Sequence, residues 1–473
     1  MSSAQRQSVV VAGAAGFVGA PLIEQLRRRF AVIALSRSAR DDTREHVSWR
    51  RVDLMSLREA RAAVRGADYA VYLVHSMMPA DRLVQGGFDE IDLLVADNFA
   101  RACAEAGVRQ IVYLGGLLPE HTTGGEALSA HLRSRAEVER ALAAYGTPVT
   151  VLRAGLVIGR NGSSTEMLVR LVQRLPVMVC PRWTDVDTQP VALSDVAQLL
   201  DWCVGRDETR DQVFDIGGPD VLTYRELMVL CGELLGRPPR TYGVPVLTPT
   251  LSRLWVSLIT GAPKALVAPL IGSLAHRMVA RDRRLQEAAA VAGRTVRDAL
   301  QEALSQRGEQ TPRAFRALRR GERSPYVRAI YRMGGGHAPR ALAERYVRWL
   351  DERLAPLVRC HISAGGERIG FDLLGIERLR LIEMRRDDAG SDPERAAYDI
   401  TRGLLVGGSR GRFELRAVGG GEEALCVISD FEPALWWPLY VATQAQAHHV
   451  VMRAFAASLA RSRLEASPER LGA

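Results

Sequence analysis

Ser8-Val9-Val10-Val11-Ala12-Gly13-Ala14-Ala15-Gly16-Phe17-Val18-Gly19 is the stretch that decides the fold. Its first five residues form an apolar, β-branched run, the pattern of a strand buried on both faces of a parallel sheet. Glycines then stand at 13, 16 and 19, and helical spacing follows in Pro21-Leu22-Ile23-Glu24-Gln25-Leu26. Strand, glycine turn and helix in this order build an anion site. Gly13 permits the tight turn, Gly16 lets the backbone approach a pyrophosphate, and Gly19 lets the helix pack closely on the strand. The helix N-terminus favours the negative charge. Ala15, Phe17 and Val18 fill the rest of the loop and are candidate cofactor contacts.

Outward from this loop the chain alternates. Strands are expected at 31–35, 48–52, 69–74, 110–114 and 149–153, with helices at 56–65, 88–106 and 129–145 between them. Such alternation implies βαβ units and a doubly wound parallel sheet, an α/β fold. A late strand, Val213-Phe214-Asp215-Ile216, ends at Gly217-Gly218-Pro219, and a helix over 295–305 closes the unit. Three segments are therefore expected: a dinucleotide-binding domain over 1–305, with its substrate part at about 155–305; a linker over 306–337, rich in Arg, Gln and Gly; and a smaller α+β domain over 338–473. In the last, a helix (339–354) precedes strands near 357–363, 368–374, 377–385, 411–417 and 423–430, and one long helix (436–463) ends it. A sheet closed by one long helix can enclose an apolar cavity, as in helix-grip, lipid-binding-like folds.

The end of the second strand selects the dinucleotide. A site for NAD places an acid there for the ribose 2′-hydroxyl. This chain has Leu35-Ser36-Arg37-Ser38 instead. The Ser36 hydroxyl and the Arg37 guanidinium suit a 2′-phosphate, so NADP(H) is expected in preference to NAD(H). Asp53 and Leu54, after the third strand, are candidates for the adenine side.

Composition removes other classes. Of 473 residues 47% are hydrophobic and 25% charged, which excludes a mostly disordered chain. Lys plus Arg number 63 against 54 Asp plus Glu, a net charge of +9, and Lys264 is the single lysine. The arginines are interleaved with acids and no aromatic–basic stripe or zinc spacing appears, so no nucleic-acid partner is expected. Cys103, Cys180, Cys203, Cys231, Cys360 and Cys426 are widely spaced and form no CxxC; buried thiols in a reducing cytoplasm are expected, with no metal site. No window reaches the ~18 unbroken apolar residues of a spanning helix. The first residues hold no apolar signal core, so a cytoplasmic location is expected. The Leu-, Val- and Pro-rich segment 244–279 would line a substrate pocket or touch a membrane surface peripherally.

These residues together resemble the extended and atypical short-chain dehydrogenase/reductases, NAD(P)-binding Rossmann proteins. The resemblance rests on GAAGFVG (13–19), Ser36-Arg37, Val52-Asp53-Leu54, Leu152-Arg153-Ala154-Gly155-Leu156-Val157-Ile158-Gly159 and Pro190-Val191-Ala192-Leu193-Ser194-Asp195-Val196-Ala197. Tyr72-Leu73-Val74-His75-Ser76-Met77 and Leu175-Pro176-Val177-Met178 look like a bacterial subgroup with a C-terminal DUF2867-like domain, whose end Phe431-Glu432-Pro433 and Trp436-Trp437-Pro438-Leu439-Tyr440 resemble.

The resemblance implies that Val74 and His75, Leu114 and Gly115, and Arg153 line the nicotinamide side. In that superfamily a Tyr-x-x-x-Lys pair on one helix face supplies the proton and holds the ribose. Here the corresponding positions carry His131 and Arg135, still four apart and on one face. The serine after strand five is replaced by Leu114-Gly115-Gly116. Two readings stay open. A histidine can act as the general acid, with Arg135 on the ribose or a phosphate and His75 as a second acid. Alternatively the domain binds NADPH without turnover, as a sensor or scaffold. An enzyme of the first kind would act on a small apolar carbonyl or alkene substrate.

Overall fold

The computed structural model describes residues 6–40, 42–75, 84–119, 128–244, 259–261, 274, 276–305 and 326–466. Most of the segment 244–279, and residues 306–325 of the expected linker, lie outside the described residues. The chain divides into two compact units: Met1–Met78 with Val95–Ala317, and Pro79–Leu94 with Leu318–Ala473.

The first unit is built on strands β1 (Ser8–Ala12), β2 (Ala31–Ser36), β3 (Val47–Arg51) and β4 (Tyr69–Tyr72). After β5 (Val84–Gln85), which belongs to the second unit, come β6 (Ile111–Gly116), β7 (Val149–Ala154) and β8 (Val213–Ile216). The order across the sheet is β8-β7-β6-β4-β1-β2-β3, all parallel. The chain starts at the centre and winds outward twice, as right-handed βαβ crossovers require. Val9, Val10, Val11 and Ala12 are wholly buried, so β1 is covered on both faces. Helices α1 (Gly19–Leu26), α2 (Leu57–Val64), α3 (Phe88–Glu105) and α4 (Ala130–Ala143) flank the strands. α1 buries Leu22, Ile23 and Leu26 against the core that holds Val9, Val32 and Val71. At ~25 cal/mol per Å² of apolar area, each such side chain contributes about 1.5–3 kcal/mol. Ser56 caps α2 by accepting from the Glu59 N–H at 3.3 Å, and Ser129 caps α4 through the Leu132 N–H at 3.3 Å.

The second unit is an antiparallel sheet. β9 (Val327–Arg332) is followed by helix α5 (Pro339–Leu354), then β10 (Val358–Ile362), β11 (Arg368–Leu373), β12 (Arg380–Arg386), β13 (Arg395–Arg402), β14 (Arg412–Val418) and β15 (Glu423–Phe431). The strand order is β10-β11-β12-β13-β14-β15-β9-β5, with β9 antiparallel to β15 and β5 added in parallel at the edge. Helices α6 (Trp437–Ala442) and α7 (Gln444–Ala466) complete the unit. Phe455 of α7 meets Tyr346 and Trp349 of α5 at ring-centroid distances of 5.1 and 5.3 Å.

Four expectations are corrected here. Residues 327–332 are a core strand, not linker; the alternation Val-Arg-Ala-Ile-Tyr-Arg was hidden among arginines. β13 went unread because Arg395-Ala396-Ala397-Tyr398 lacks a β-branched run. The long terminal helix is two helices, broken at Thr443 (φ −122°, ψ −81°). Residues 79–94 belong with the second unit, since β5 pairs with β9. Among the described residues no helix is long and apolar enough to cross a membrane, none of their acids, histidines and cysteines cluster as metal ligands, and all six cysteines are buried and free.

Candidate functional site

The glycine loop turns between β1 and α1. Gly13 has φ +83°, and a Cβ there would lie 2.9 Å from the Leu73 carbonyl. A Cβ on Gly19 would lie 2.4 Å from the Gly13 oxygen and 2.7 Å from that of Ala14, so only glycine lets α1 start this close to β1. Gly16 is different. It is exposed, and its N–H donates to the Gly13 oxygen at 2.9 Å. A Cβ on it would meet just that one oxygen, at 3.0 Å, so the space above Gly16 is open on the outer side of the loop. No side chain caps the start of α1. Pro21 has no N–H and the Ala20 N–H donates to the Gly16 oxygen at 3.2 Å, so what this end offers an anion is the helix dipole.

β2 ends at Ser36, whose hydroxyl accepts from the Ser38 N–H at 3.4 Å. Arg37 is exposed beside it, with no acidic partner among the described residues. Asp42 faces Arg44 instead and accepts from the Trp49 indole N–H at 2.6 Å. The Arg44 guanidinium holds its carboxyl well below the usual carboxylate range. Asp42 is thus a neutralised neighbour rather than a free negative charge. Asp53 accepts from the Met55 N–H at 3.1 Å, forming its own turn. Asn98 of α3 donates to the carbonyls of Leu54 and Met55 at 2.9 and 3.0 Å and fixes that loop from beneath. Asn98 is completely buried and was not read from the sequence; its one signal is an amide among the apolar positions of α3.

On the other side, Val74 and His75 follow β4, and Leu114 and Gly115 form the end of β6. The rings of His75 and His131 lie 5.0 Å apart, tilted by 51°. Two histidines read from separate motifs are thus brought together. His131 sits in the first turn of α4, one turn before Arg135. Arg135 is buried, donates through Nη2 to the Leu114 carbonyl, and lies 5.0 Å from the Tyr113 ring. Its Nη1 is buried with no hydrogen-bond partner among the described residues. A buried guanidinium N–H left without a partner is costly, so the position suits a ligand acceptor. Arg153 is placed otherwise: Glu139 engages its guanidinium with two contacts, at 3.1 and 2.7 Å. The fork that a cofactor would use is already taken. Asp215 on β8 holds Arg281 at 2.6 and 2.9 Å, which ties the segment around Arg281 to the strand.

The open cradle at Gly16, the uncapped start of α1 and the orphaned Arg135 nitrogen all fit a dinucleotide. Comparison with known proteins agrees. Residues 13–198 match the NAD(P)H-binding family. The auxiliary protein GraX of Staphylococcus aureus is 26% identical over 166 residues, 35% of this chain and 48% of that protein, so the chain spans about half of that relative's length. A chloroplastic protein of Arabidopsis thaliana is 26% identical over 239 residues, 44% of this chain and 69% of its own length. Among solved structures, a nucleoside-diphosphate-sugar epimerase from Staphylococcus aureus superposes with a TM-score of 0.50 at 17% identity, covering 62% of this chain and 99% of that one. The shared fold is the doubly wound sheet. Residues 13–198, which match the NAD(P)H-binding family, thus lie on the doubly wound sheet of the first unit.

Proposed function

We propose that the chain is an NADP(H)-dependent oxidoreductase that reduces a carbonyl or activated alkene of a small apolar substrate. One observation carries the proposal. His131 and Arg135 stand on one face of α4, His131 against His75 and Arg135 with a buried N–H that has no partner among the described residues.

Gly13, Gly16 and Gly19 shape the pyrophosphate cradle, and Ser36 with Arg37 receives the 2′-phosphate. Bound NADPH supplies the hydride. Arg135 would hold the ribose of the nicotinamide half through the N–H that no described residue engages. His131 donates a proton to the substrate oxygen as the carbonyl carbon is reduced, which leaves an alcohol and a neutral imidazole. Solvent protons reload His131 through His75, whose ring lies within a short relay of it. For an activated alkene, the same proton goes to the carbon that has become carbanionic. The cytoplasm is the compartment that suits buried free thiols and this cofactor.

A second reading, tight binding of NADPH without turnover, is favoured by the absence of a hydroxyl in Leu114-Gly115-Gly116-Leu117 at the end of β6. Stopped-flow absorbance separates the two. Mixed with pools of lipophilic aldehydes, ketones and enones, the wild-type chain should oxidise bound NADPH. His131→Phe should keep NADPH affinity and lose ~10²–10⁴-fold in rate, the range for one proton donor. Undiminished turnover in His131→Phe would remove the general-acid role. Tight NADPH binding with no oxidation by any pool would establish the holding role instead.

A further inference from the structure

The second unit exposes apolar side chains at one end of its sheet, and the strand registers place them together. Val358 pairs with Leu373, Asp372 with Arg380, Glu383 with Arg402, Asp399 with Arg412, Arg412 with Ser429, and Val327 with Phe431. All of these residues therefore lie at the same end. The connections beyond them carry Leu357, Leu374, Ile376, Leu404, Trp436 and Leu439, all exposed. Trp436 is 77% exposed and Leu357 60%. About half of the exposed large apolar side chains among the described residues stand here.

These connections are stitched into one surface. The Leu374 N–H donates to the Leu357 carbonyl at 2.8 Å, that of Leu404 to Arg380 at 2.9 Å, and that of Ala434 to Leu405 at 3.2 Å. Isolated exposed leucines need no explanation, but a contiguous group on backbone-braced loops marks a docking site.

Charge selects the occupant. From Pro433 to Met452 the chain has no Asp, Glu, Lys or Arg, although a quarter of all residues are charged. Ion-pairing partners have nothing to hold along this stretch. Around it stand four exposed arginines: Arg378 and Arg410, and Arg359 and Arg402, which meet Asp351 at 3.4 Å and Glu383 at 3.0 Å. The acids on the same rim are largely engaged. Glu377 pairs with Arg380 at 3.2 Å, Asp430 with Arg328 at 3.2 Å, and Glu432 is half-buried. An isologous dimer through this end would bring the arginines of one copy against those of the other. A phospholipid surface complements both parts, hydrocarbon for the leucines and phosphate for the guanidiniums, and an exposed tryptophan suits the boundary between them.

We propose that this end of the second unit docks on the surface of a lipid bilayer, with Trp436, Leu404, Leu374 and Leu357 entering the headgroup boundary. The proposal stands apart from the redox reading of the first unit.

Sedimentation of the full chain with vesicles of phosphatidylcholine and phosphatidylglycerol tests it. The wild type should pellet with the vesicles. The double variant Trp436→Asp/Leu404→Asp should lose at least about tenfold in partitioning, because two apolar groups are replaced by charges at the boundary. Val221→Asp, an equally exposed site in the first unit, should pellet like the wild type. Thermal melts and NADPH binding of the double variant should match the wild type, since both substituted side chains are exposed. A wild type that stays in the supernatant, or a double variant that pellets fully, overturns the proposal. So does a wild-type dimer in sedimentation equilibrium that the double variant dissolves while vesicles bind neither, which would assign the patch to a second copy.

Discussion

The two units solve the same problem, burying a sheet, with opposite materials. In the first, β1, β2 and β4 carry no charged side chain, and close backbone approach at Gly13 and Gly19 sets the geometry. In the second, a whole cluster of charges is buried within the sheet. Glu414 is buried in β14 between Arg412, at 2.7 Å, and Arg416, at 2.8 Å, while Arg412 also meets Asp387 at 2.6 Å. Arg416 and Arg395 are register partners across β13 and β14, and both are buried. Burial pushes Arg395 down to about 10, with Glu414 pulling the other way. The first unit depends on shape and the second on charge balance, so they should fail under different insults.

The largest effect should come from unbalancing the second. Burial would raise the Glu414 carboxyl, but Arg416, Arg395 and Arg412 outweigh it and hold the group below its ordinary value. Glu414→Gln leaves those guanidiniums buried without their counter-charge, at a cost of about 3–5 kcal/mol in a denaturant melt. The matching change in the first unit, Glu139→Gln, removes the partner of a partly exposed Arg153 and should cost only about 1 kcal/mol. Equal losses would break the contrast between the units.

Shape should show the reverse order. Gly19→Ala forces a Cβ into two backbone oxygens and should cost about 3 kcal/mol along with NADPH binding. Gly420→Ala, also a turn glycine (φ +69°), meets nothing within 4 Å, so only its left-handed backbone resists, by about 1 kcal/mol. Circular dichroism melts of the two variants compare these costs directly.

A third difference appears with pH. Burial, helped by His449, pushes His448 down to about 4. The unfolded chain takes up that proton near pH 6.5, and the folded chain refuses it until about 4. Stability from the neutral ring is thus fully present above 6.5 and is withdrawn as the pH falls towards 4, by at most about 3 kcal/mol. His448→Gln should flatten the slope of stability against pH in that window. An unchanged slope would place the acid sensitivity elsewhere.

The narrowest effect concerns cofactor choice. Arg37→Ala should weaken NADPH by about 1.5–3 kcal/mol, the order of a charged hydrogen bond, and leave NADH nearly untouched in fluorescence titrations. Equal weakening of both would mean that Arg37 does not read the 2′-phosphate.

The framework of the first unit was legible in local pattern. A buried parallel strand must be apolar along its whole length, and a glycine at a tight turn has no substitute, so β1, the loop and α1 could be read from local pattern within a residue or two. The late strand Val213–Ile216 and the helix Pro339–Leu354 were legible for the same reason: periodicity and punctuation are local. Tertiary structure alone decided what depends on distant neighbours. Nothing near residue 327 says that Val-Arg-Ala-Ile-Tyr-Arg will pair with Glu423–Phe431, or that Val84 and Gln85 will join them at the edge. No spacing brings His75 to 5.0 Å from His131, because they leave different strands and meet only once β4 and β6 are paired. Arg153 looked as available as Arg135 until packing gave one to Glu139 and left a nitrogen of the other without a partner among the described residues. Backbone preference is a property of a few adjacent residues, whereas the satisfaction of a charge or a buried N–H belongs to whatever the fold places opposite it.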